Sequence, residues 1–581
     1  MKRSVVLLIG LALVFVGGLL AWWAQTDGGQ IEIKDVRFMG SGGVEMSALL
    51  YIPPGVSAEN KAPGILAIHG YINSRETQAP FAIEFARRGY VVLAVDQTGH
   101  GYSDPPAFAN GFGGFDGLAY LRSLDMVDPD NIGLEGHSMG GWAVAIAAQV
   151  FPEGYRSLVL EGSSTGTFGA PDGTADFPRN FALVFSTYDE FSDLMWGSPT
   201  GSGVVDTEKL QTAFGTDQPV EVGRLYGSVE DGTARQLYQP VTTHPGDHLN
   251  STAVGDAIDW MGQTLQGGNG LDPANQVWQL NEIGRLIALI GMVISVLAFG
   301  VILLDAPYFA SFVKPVPAPK VATGFARYLG YVLILVVPIL SYFWLQNQAA
   351  TLIPAPTALF SQNITNGIMV WALGNGLITL VLFLVWHFLS NRTATVENYG
   401  LKLSAAGIFK SLVAAVLTVG FGYALLALSD ALFRTDFRFW VVAVKLMSSL
   451  QFRIFLGYLP FFTVFFLILS VALNGQLRLV GKDGAPVSFG LAALANVGLL
   501  VLGFIVLLLI QYVPLLGGGT LPLGEPLLTI VAFQFVPLLT IVGLVITVFF
   551  RRTGTIYMGA FVSALLITWI IVASTATHFA F

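Results

Sequence analysis

The chain has no cysteine. That absence excludes structural disulfides, thiolate metal sites and a cysteine nucleophile, and it leaves the redox compartment open. Histidine is scarce too, with 7 in 581 residues. Charge is scarcer than in soluble proteins: 12% of the chain is charged and 53% hydrophobic, where a soluble globular chain carries about 25% charged residues. This deficit, together with several apolar runs of about 20 residues, excludes a purely soluble protein. A formal net charge of −9 argues against nucleic acid as a partner.

The missing charge has a location. Residues 25–282 hold 32 Asp and Glu against 12 Lys and Arg, a net of −20, while the remainder holds 6 against 17, a net of +11. An acidic domain of soluble composition, 25–270, is therefore predicted to stand between a signal-anchor helix, 1–24, and a membrane domain of about eight helices, 286–581, with 271–285 as linker. At the N-terminus, Lys2 and Arg3 precede an apolar run from Ser4 to Ala24 that ends in Trp22-Trp23. That run is longer than the ~7–15 residues of a signal-peptide core and has no small-x-small cleavage site, so it reads as an uncleaved anchor.

Eight further spans are predicted near 286–304, 326–346, 367–389, 409–428, 454–474, 490–512, 527–550 and 555–577. With Lys2 and Arg3 inside, the inside loops collect Lys314, Lys320, Arg392, Lys402, Arg478, Lys482, Arg551 and Arg552, while 347–363 and 513–526 on the other side contain no Lys or Arg. Segment 430–453 breaks this pattern with Arg434, Arg438, Lys445 and Arg453, and reads as an interfacial amphipathic helix. The expected topology is nine spans in a cell membrane, N-terminus cytoplasmic, acidic domain and C-terminus outside. The membrane half has almost no midplane acids. Asn375 and Asn496 read as helix-packing groups, which lowers the case for a coupled transporter.

Within the acidic domain, strand and helix patterns alternate. Ile31–Phe38 and Met46–Ile52 read as a hairpin. Strands at Gly64–Ile68, Tyr90–Val95, Ile132–Leu134, Ser157–Leu160, Phe181–Phe185 and Ala234–Val241 are interleaved with helices at Ala79–Arg88, Phe115–Leu124, Gly140–Val150 and Leu249–Leu265. Such alternation predicts a doubly wound, mostly parallel sheet with an antiparallel start. The pattern G-x-S-x-G occurs twice. Gly136-His137-Ser138-Met139-Gly140 lies between a strand and a helix rich in small residues, as a nucleophile elbow requires. Gly162-Ser163-Ser164-Thr165-Gly166 runs into a loop instead, so Ser138 is the candidate nucleophile and Ser164 a loop serine beside it.

With Ile68-His69-Gly70-Tyr71, Arg88-Gly89-Tyr90 and Asp96-Gln97-Thr98-Gly99-His100-Gly101-Tyr102-Ser103-Asp104, the Ser138 elbow resembles the α/β-hydrolase superfamily, in its serine-aminopeptidase and dienelactone-hydrolase-like branch. The resemblance covers about 31–265. It implies an α/β-hydrolase fold with little or no lid, joined here to an all-α polytopic membrane domain. It also implies an oxyanion hole from the backbone amides of Met139 and Tyr71, and a triad in the order Ser, acid, His. His69, His100 and His137 precede the nucleophile, and His387 and His578 lie in or beside spans. His248 is then the candidate base, with His244 the alternative. Asp189 is the candidate acid, with Glu190, Asp193 and Asp231 as alternatives, and Ser186 stands where the family usually has glycine. About 20 residues follow the strand after which lids are usually inserted, which predicts an open site.

No metal or organic cofactor is implied. The expected function is a membrane-anchored serine hydrolase acting on an ester or related acyl bond, with a lipid-linked or membrane-bound substrate as a hypothesis and the bilayer as partner. An acyltransferase on the same triad, and a transport or scaffold protein with a non-catalytic domain, are the alternatives.

Overall fold

The structure, a computed structural model, describes residues 2–581, with Asp483 described in its backbone only. After a first helix, α1 (Arg3–Gln25), strands β1 (Glu32–Met39) and β2 (Glu45–Ile52) form an antiparallel hairpin. Then follow β3 (Ala62–Ile68), α2 (Ala79–Arg87), β4 (Val91–Asp96), α3 (Gly114–Arg122), β5 (Val127–His137), α4 (Met139–Val150), β6 (Ser157–Glu161) and β7 (Phe181–Val184). The connection after β7 carries α5 (Ser192–Trp196), α6 (Glu208–Phe214) and β8 (Leu225–Tyr226) before β9 (Arg235–Tyr238) and α7 (Ser251–Thr264). The sheet order is β1-β2-β4-β3-β5-β6-β7-β9-β8. Strands β4, β3, β5, β6, β7 and β9 run parallel, and β1, β2 and β8 are antiparallel additions.

The strand sequences explain the layering. In β3 (APGILAI) and β4 (VVLAVD) every residue is buried, as in central parallel strands covered on both faces. One face packs Leu66, Leu93, Leu134 and Leu160 against Leu118 of α3 and Trp142 and Val144 of α4. The other packs Ile65, Val92, Val159 and Val184 against Phe81 and Phe85 of α2 and Ile258 and Trp260 of α7. The predicted elements of this domain are all present; α5, α6 and β8 have too few residues to carry a periodic signal.

The membrane half comprises α8 (Trp278–Leu303), a short α9 (Pro307–Ala310), α10 (Gly324–Leu340), α11 (Tyr342–Leu352), α12 (Asn363–Ser390) and α13 (Ala405–Phe433). A two-stranded hairpin, β10 (Phe437–Phe439) and β11 (Val442–Val444), precedes α14 (Ser449–Val471), α15 (Phe489–Leu516), α16 (Pro526–Thr553) and α17 (Tyr557–Ala573). Among the described residues, seven helices are long and apolar enough to cross a membrane, and α10 with α11, bent by 52°, makes an eighth. The ninth expected span is α17. Its 17 residues reach about 26 Å at 1.5 Å per residue, and it is buried from Met558 to Ala573 in the centre of the bundle. Helix α1 packs backbone to backbone on α8: a Cβ at Gly17 would lie 2.5 Å from the Gly284 carbonyl oxygen, the small-residue contact that lets apolar helices associate. Asn375 donates to Ser341 at 3.1 Å and Asn496 to Thr547 at 2.9 Å, so both sit in helix-to-helix hydrogen bonds.

Segment 430–453 is not an amphipathic helix. It is the end of α13, the β10–β11 hairpin and the start of α14; Arg434 and Arg453 are exposed, whereas Arg438 and Lys445 are buried. Lys445 Nζ lies 2.6 Å from Glu76 Oε2, and Arg438 donates to Thr77 at 3.0 Å and to Asp436 at 2.7 Å. Arg75 and Asp96 on the sheet side, and Arg285 of α8 beside Asp436, complete a buried cluster in which cations alternate with carboxylates. Arg438 and Lys445 can depart from the loop-charge pattern because Asp436 beside them and Glu76 of the acidic domain neutralise them.

Candidate functional site

The site begins at the turn from β5 into α4. Ser138 has φ +55° and ψ −121°, a conformation that costs a non-glycine residue of order 1–3 kcal/mol and persists only where the surroundings enforce it. Here the enforcement is close packing. A Cβ at Gly140 would lie 2.0 Å from the Ile68 carbonyl oxygen, so glycine is the one residue that lets the elbow press against β3. The second G-x-S-x-G lies directly beneath: Ser163 Oγ donates to the Ser138 carbonyl at 2.6 Å, and Ser164 donates to Thr167 at 2.8 Å. Ser164 is a buried structural hydroxyl.

The chain brings Asp189 to His244, not to His248. His244 Nδ1 lies 2.8 Å from Asp189 Oδ2, and Asp189 Oδ1 accepts the Phe191 amide at 2.7 Å. His248 points elsewhere, with its Nε2 2.6 Å from Gln78 Oε1. The reason is the turn His244–Leu249, whose Pro245 fixes its start and which rotates the two imidazoles apart. Glu190, expected as an alternative acid, instead holds the backbone: its Oε2 accepts the His244 amide at 2.7 Å and its Oε1 accepts the Tyr512 hydroxyl at 2.6 Å. Asp193 and Asp231 make no contact with either histidine among the described residues. Ser186 donates to Asp247, so the hydroxyl that replaces the usual glycine holds a second carboxylate near the pair.

His137 was set aside in the sequence for its chain position, yet its Nε2 lies 3.0 Å from the His244 carbonyl oxygen and 3.5 Å from Asp247 Oδ2. Its ring packs 4.7 Å from that of His244 and 4.2 Å from that of His248. Burial governs the ionisation of this group. It pushes His244 down to about 4 against the opposing field of Asp247. Burial, then repulsion from Asp247, hold Asp189 well above the usual carboxylate range. Burial and Asp189 push Glu190 up to about 8. An imidazole held neutral at pH 7 is available as a proton acceptor.

Ser138 and His244 line one cavity of about 510 Å³, a volume typical of small-molecule sites. Gly70, Tyr71 and Met139 line it as well. The Tyr71 and Met139 amides have no acceptor in the surrounding turns and caps among the described residues. Tyr71 is anchored through its hydroxyl, 3.0 Å from His578 Nε2 in the C-terminal tail. That tail is laced to the loop after β4 by Thr577, whose amide donates to Gly99 and whose carbonyl accepts from Ala107, both at 2.8 Å.

The cavity is partly covered. The short β6–β7 connection supplies no lid, but Trp440 and Val441 at the hairpin tip and Leu527, Ile530 and Gln534 of α16 form a roof. Trp440 Nε1 donates to the Pro245 carbonyl at 2.9 Å, beside His244. Sequence reasoning missed these roof residues. The one available signal was the misplaced charge of 430–453.

Residues 63–189 match the sequence-family model described as alpha/beta hydrolase fold, and the N-terminal part of the chain has that fold. The chain is 26% identical over 246 residues to a protein named acyltransferase from Aspergillus calidoustus, covering 39% of this chain and 75% of the relative. It is 29% identical over 142 residues to a protein named thiohydrolase from Aspergillus aculeatus, covering 23% of this chain and 42% of the relative. Among solved structures, an esterase of Pyrococcus furiosus aligns with 94% of its own chain and 42% of this one, at 15% identity and a TM-score of 0.30.

Proposed function

We propose that the protein is a membrane-embedded serine hydrolase that cleaves an ester or related acyl bond with Ser138 as nucleophile, His244 as base and Asp189 as the orienting acid. The observation that carries this reading is the 2.8 Å contact of His244 Nδ1 with Asp189, in the same cavity as a serine strained at a strand-to-helix elbow. Similarity to proteins named hydrolase and acyltransferase supports it.

In this reading, Nδ1–H donates to Asp189, which leaves Nε2 of His244 to accept the Ser138 proton as Oγ attacks the acyl carbonyl. The Met139 and Tyr71 amides receive the oxyanion, where two preorganised donors stabilise developing charge. The carbonyl re-forms as the bond to the leaving oxygen breaks, and His244 returns its proton to that oxygen. Water, deprotonated by the same imidazole, then releases the carboxylic acid and frees Ser138. Transfer to an alcohol instead of water is the second reading. It is favoured by the apolar roof over the site, and a labelled alcohol acceptor offered alongside water separates the two by the product formed.

The test is reaction of the full-length protein with a fluorophosphonate. Labelling of the wild type and its loss in Ser138→Ala is the expected result; labelling that survives the substitution overturns the assignment. In the same proposal the chain is a multi-pass protein of a cell membrane, with the hydrolase domain on the extracytoplasmic side.

A further inference from the structure

The roof over Ser138 does not stop at the hydrolase surface. Leu527, Ile530 and Gln534 occur at helical spacing on one face of α16, the arrangement of a single lining stripe. Gln534 also lines a second void of about 30 Å³, deeper between α12, α14, α16 and α17. That void continues the stripe with Leu538 and Val542 and is closed by Trp371, Phe465 and Ile571. From Leu527 to Val542 the stripe descends about 22 Å at 1.5 Å per residue. Apart from Gln534, the side chains around the inner void are apolar. An apolar void stays dry and accepts apolar guests. Each methylene moved from water into such a place gains about 0.8 kcal/mol.

The two voids meet at Gln534, which sets the nucleophile's cavity next to an apolar space inside the helix bundle. We infer that the membrane domain is the acyl-chain site of the enzyme: a long-chain lipid ester binds with its carbonyl at Ser138 and its alkyl chain along α16, the methyl end lying beyond Gln534. The inference rests on the Ser138 reading and assigns its substrate class. It gives the bundle a binding role besides anchoring. The hydrolase side of the same cavity, walled by Phe108, Phe168 and Leu194, is left for the alcohol portion of the ester.

The test uses the wild-type full-length protein and a long-chain alkyl fluorophosphonate that carries a diazirine at the chain end. Fluoride leaves as the Ser138 oxygen–phosphorus bond forms, so the alkyl chain occupies the acyl position. Irradiation followed by peptide mapping is expected to place cross-links in α12, α14, α16 or α17. Cross-links confined to α5 and the loops that carry Phe108 and Phe168 overturn the inference while leaving Ser138 as nucleophile. Absence of any adduct on Ser138 overturns the hydrolase reading and this one with it. A second arm compares kcat/KM for palmitoyl and acetyl esters. Ala372→Trp, which fills the inner void, is expected to lower the palmitoyl-to-acetyl ratio at least about tenfold, the equivalent of ~1.4 kcal/mol. Leu502→Trp on the exposed side of α15 is the size-matched control and retains the wild-type ratio. An unchanged ratio in Ala372→Trp overturns the inference. If that variant does not fold, the cross-links in the wild type decide.

Discussion

Two histidines four positions apart illustrate what a sequence specifies at the scale of single residues. Chain order and the membrane spans narrow seven histidines to His244 and His248, and a position just before the last helix favours His248, whereas the ring that meets Asp189 is His244. Which ring meets Asp189 depends on the course of the turn through Pro245 and Gly246 and on Glu190 holding the His244 amide. The choice has a kinetic consequence. His244→Ala should reduce kcat/KM for a soluble ester by about a thousandfold or more, the usual effect of removing a triad base. His248→Ala, which removes the contact with Gln78 and the packing on His137 but no contact with Asp189, should cost less than about tenfold on the same scale. Equal losses would return the base to His248. The pH profile follows from the same environment. The proposed mechanism requires a neutral His244, and burial pushes its pKa down to about 4. The acid limb of kcat/KM should therefore lie below the ordinary imidazole value of about 6.5, with activity retained at pH 5.5 and lost toward pH 4. Asp247 is the group that opposes the downward shift, so Asp247→Asn should move the limb to still lower pH. A limb at or above pH 6.5 would mean that the titrating group is not a buried imidazole.

Elements were legible in proportion to how local their cause is. The strand–elbow–helix unit β5–α4 could be read directly, because glycines, buried aliphatics and the serine all lie within one run. The central strands were equally plain, since continuous apolar runs bounded by turns leave few other structures. The β10–β11 hairpin could not be read, because its reason for existing lies elsewhere in the chain. Arg438 and Lys445 look like misplaced loop charges until Glu76 and Asp436 are beside them, and the ends of α15 and α16 look like span termini until they meet the site. Tyr512, near the C-terminal end of α15, exemplifies this. Its hydroxyl donates to Glu190, which accepts the His244 amide, so a bundle helix holds the turn of the proposed base at one remove. Tyr512→Phe removes the donor and leaves a buried carboxyl oxygen without a partner, at a cost of about 1–3 kcal/mol. The expected result is a kcat lowered by about tenfold with KM for a short ester little changed, together with slower fluorophosphonate labelling. A change in thermal stability alone, with kcat intact, would reduce Tyr512 to a packing residue.

At the scale of the whole molecule, the opposed charges of the two halves act as a docking code. Burial disfavours the Glu76 carboxylate, but Lys445 and Arg75 outweigh it and hold the group well below its usual range. Its folded pKa is thus depressed: the stabilisation is present above the ordinary Glu value and is lost as pH falls toward the folded one. The two halves therefore stay locked through neutral pH, and the hydrolase domain sits on the end of the bundle where the C-terminal tail and the β10–β11 hairpin gather. This arrangement bears on orientation. With Arg438 and Lys445 neutralised by Asp436 and Glu76, Arg434 and Arg453 are the exposed cations left at this end, and a larger group of basic residues lies at the opposite end, in the loops with Lys314, Lys320, Arg392, Lys402 and Arg551. The positive-inside rule then predicts that the opposite end faces the cytoplasm. The absence of cysteine makes the test direct, because one introduced thiol is the only thiol in the chain. Asp217→Cys on the exposed surface of the hydrolase domain, and Thr395→Cys in the exposed loop after α12, each add a single site. In intact cells a membrane-impermeant maleimide should label Asp217→Cys at once and Thr395→Cys only after permeabilisation. The reverse pattern would place the hydrolase domain in the cytoplasm and would require the basic loops to face outward against their charge.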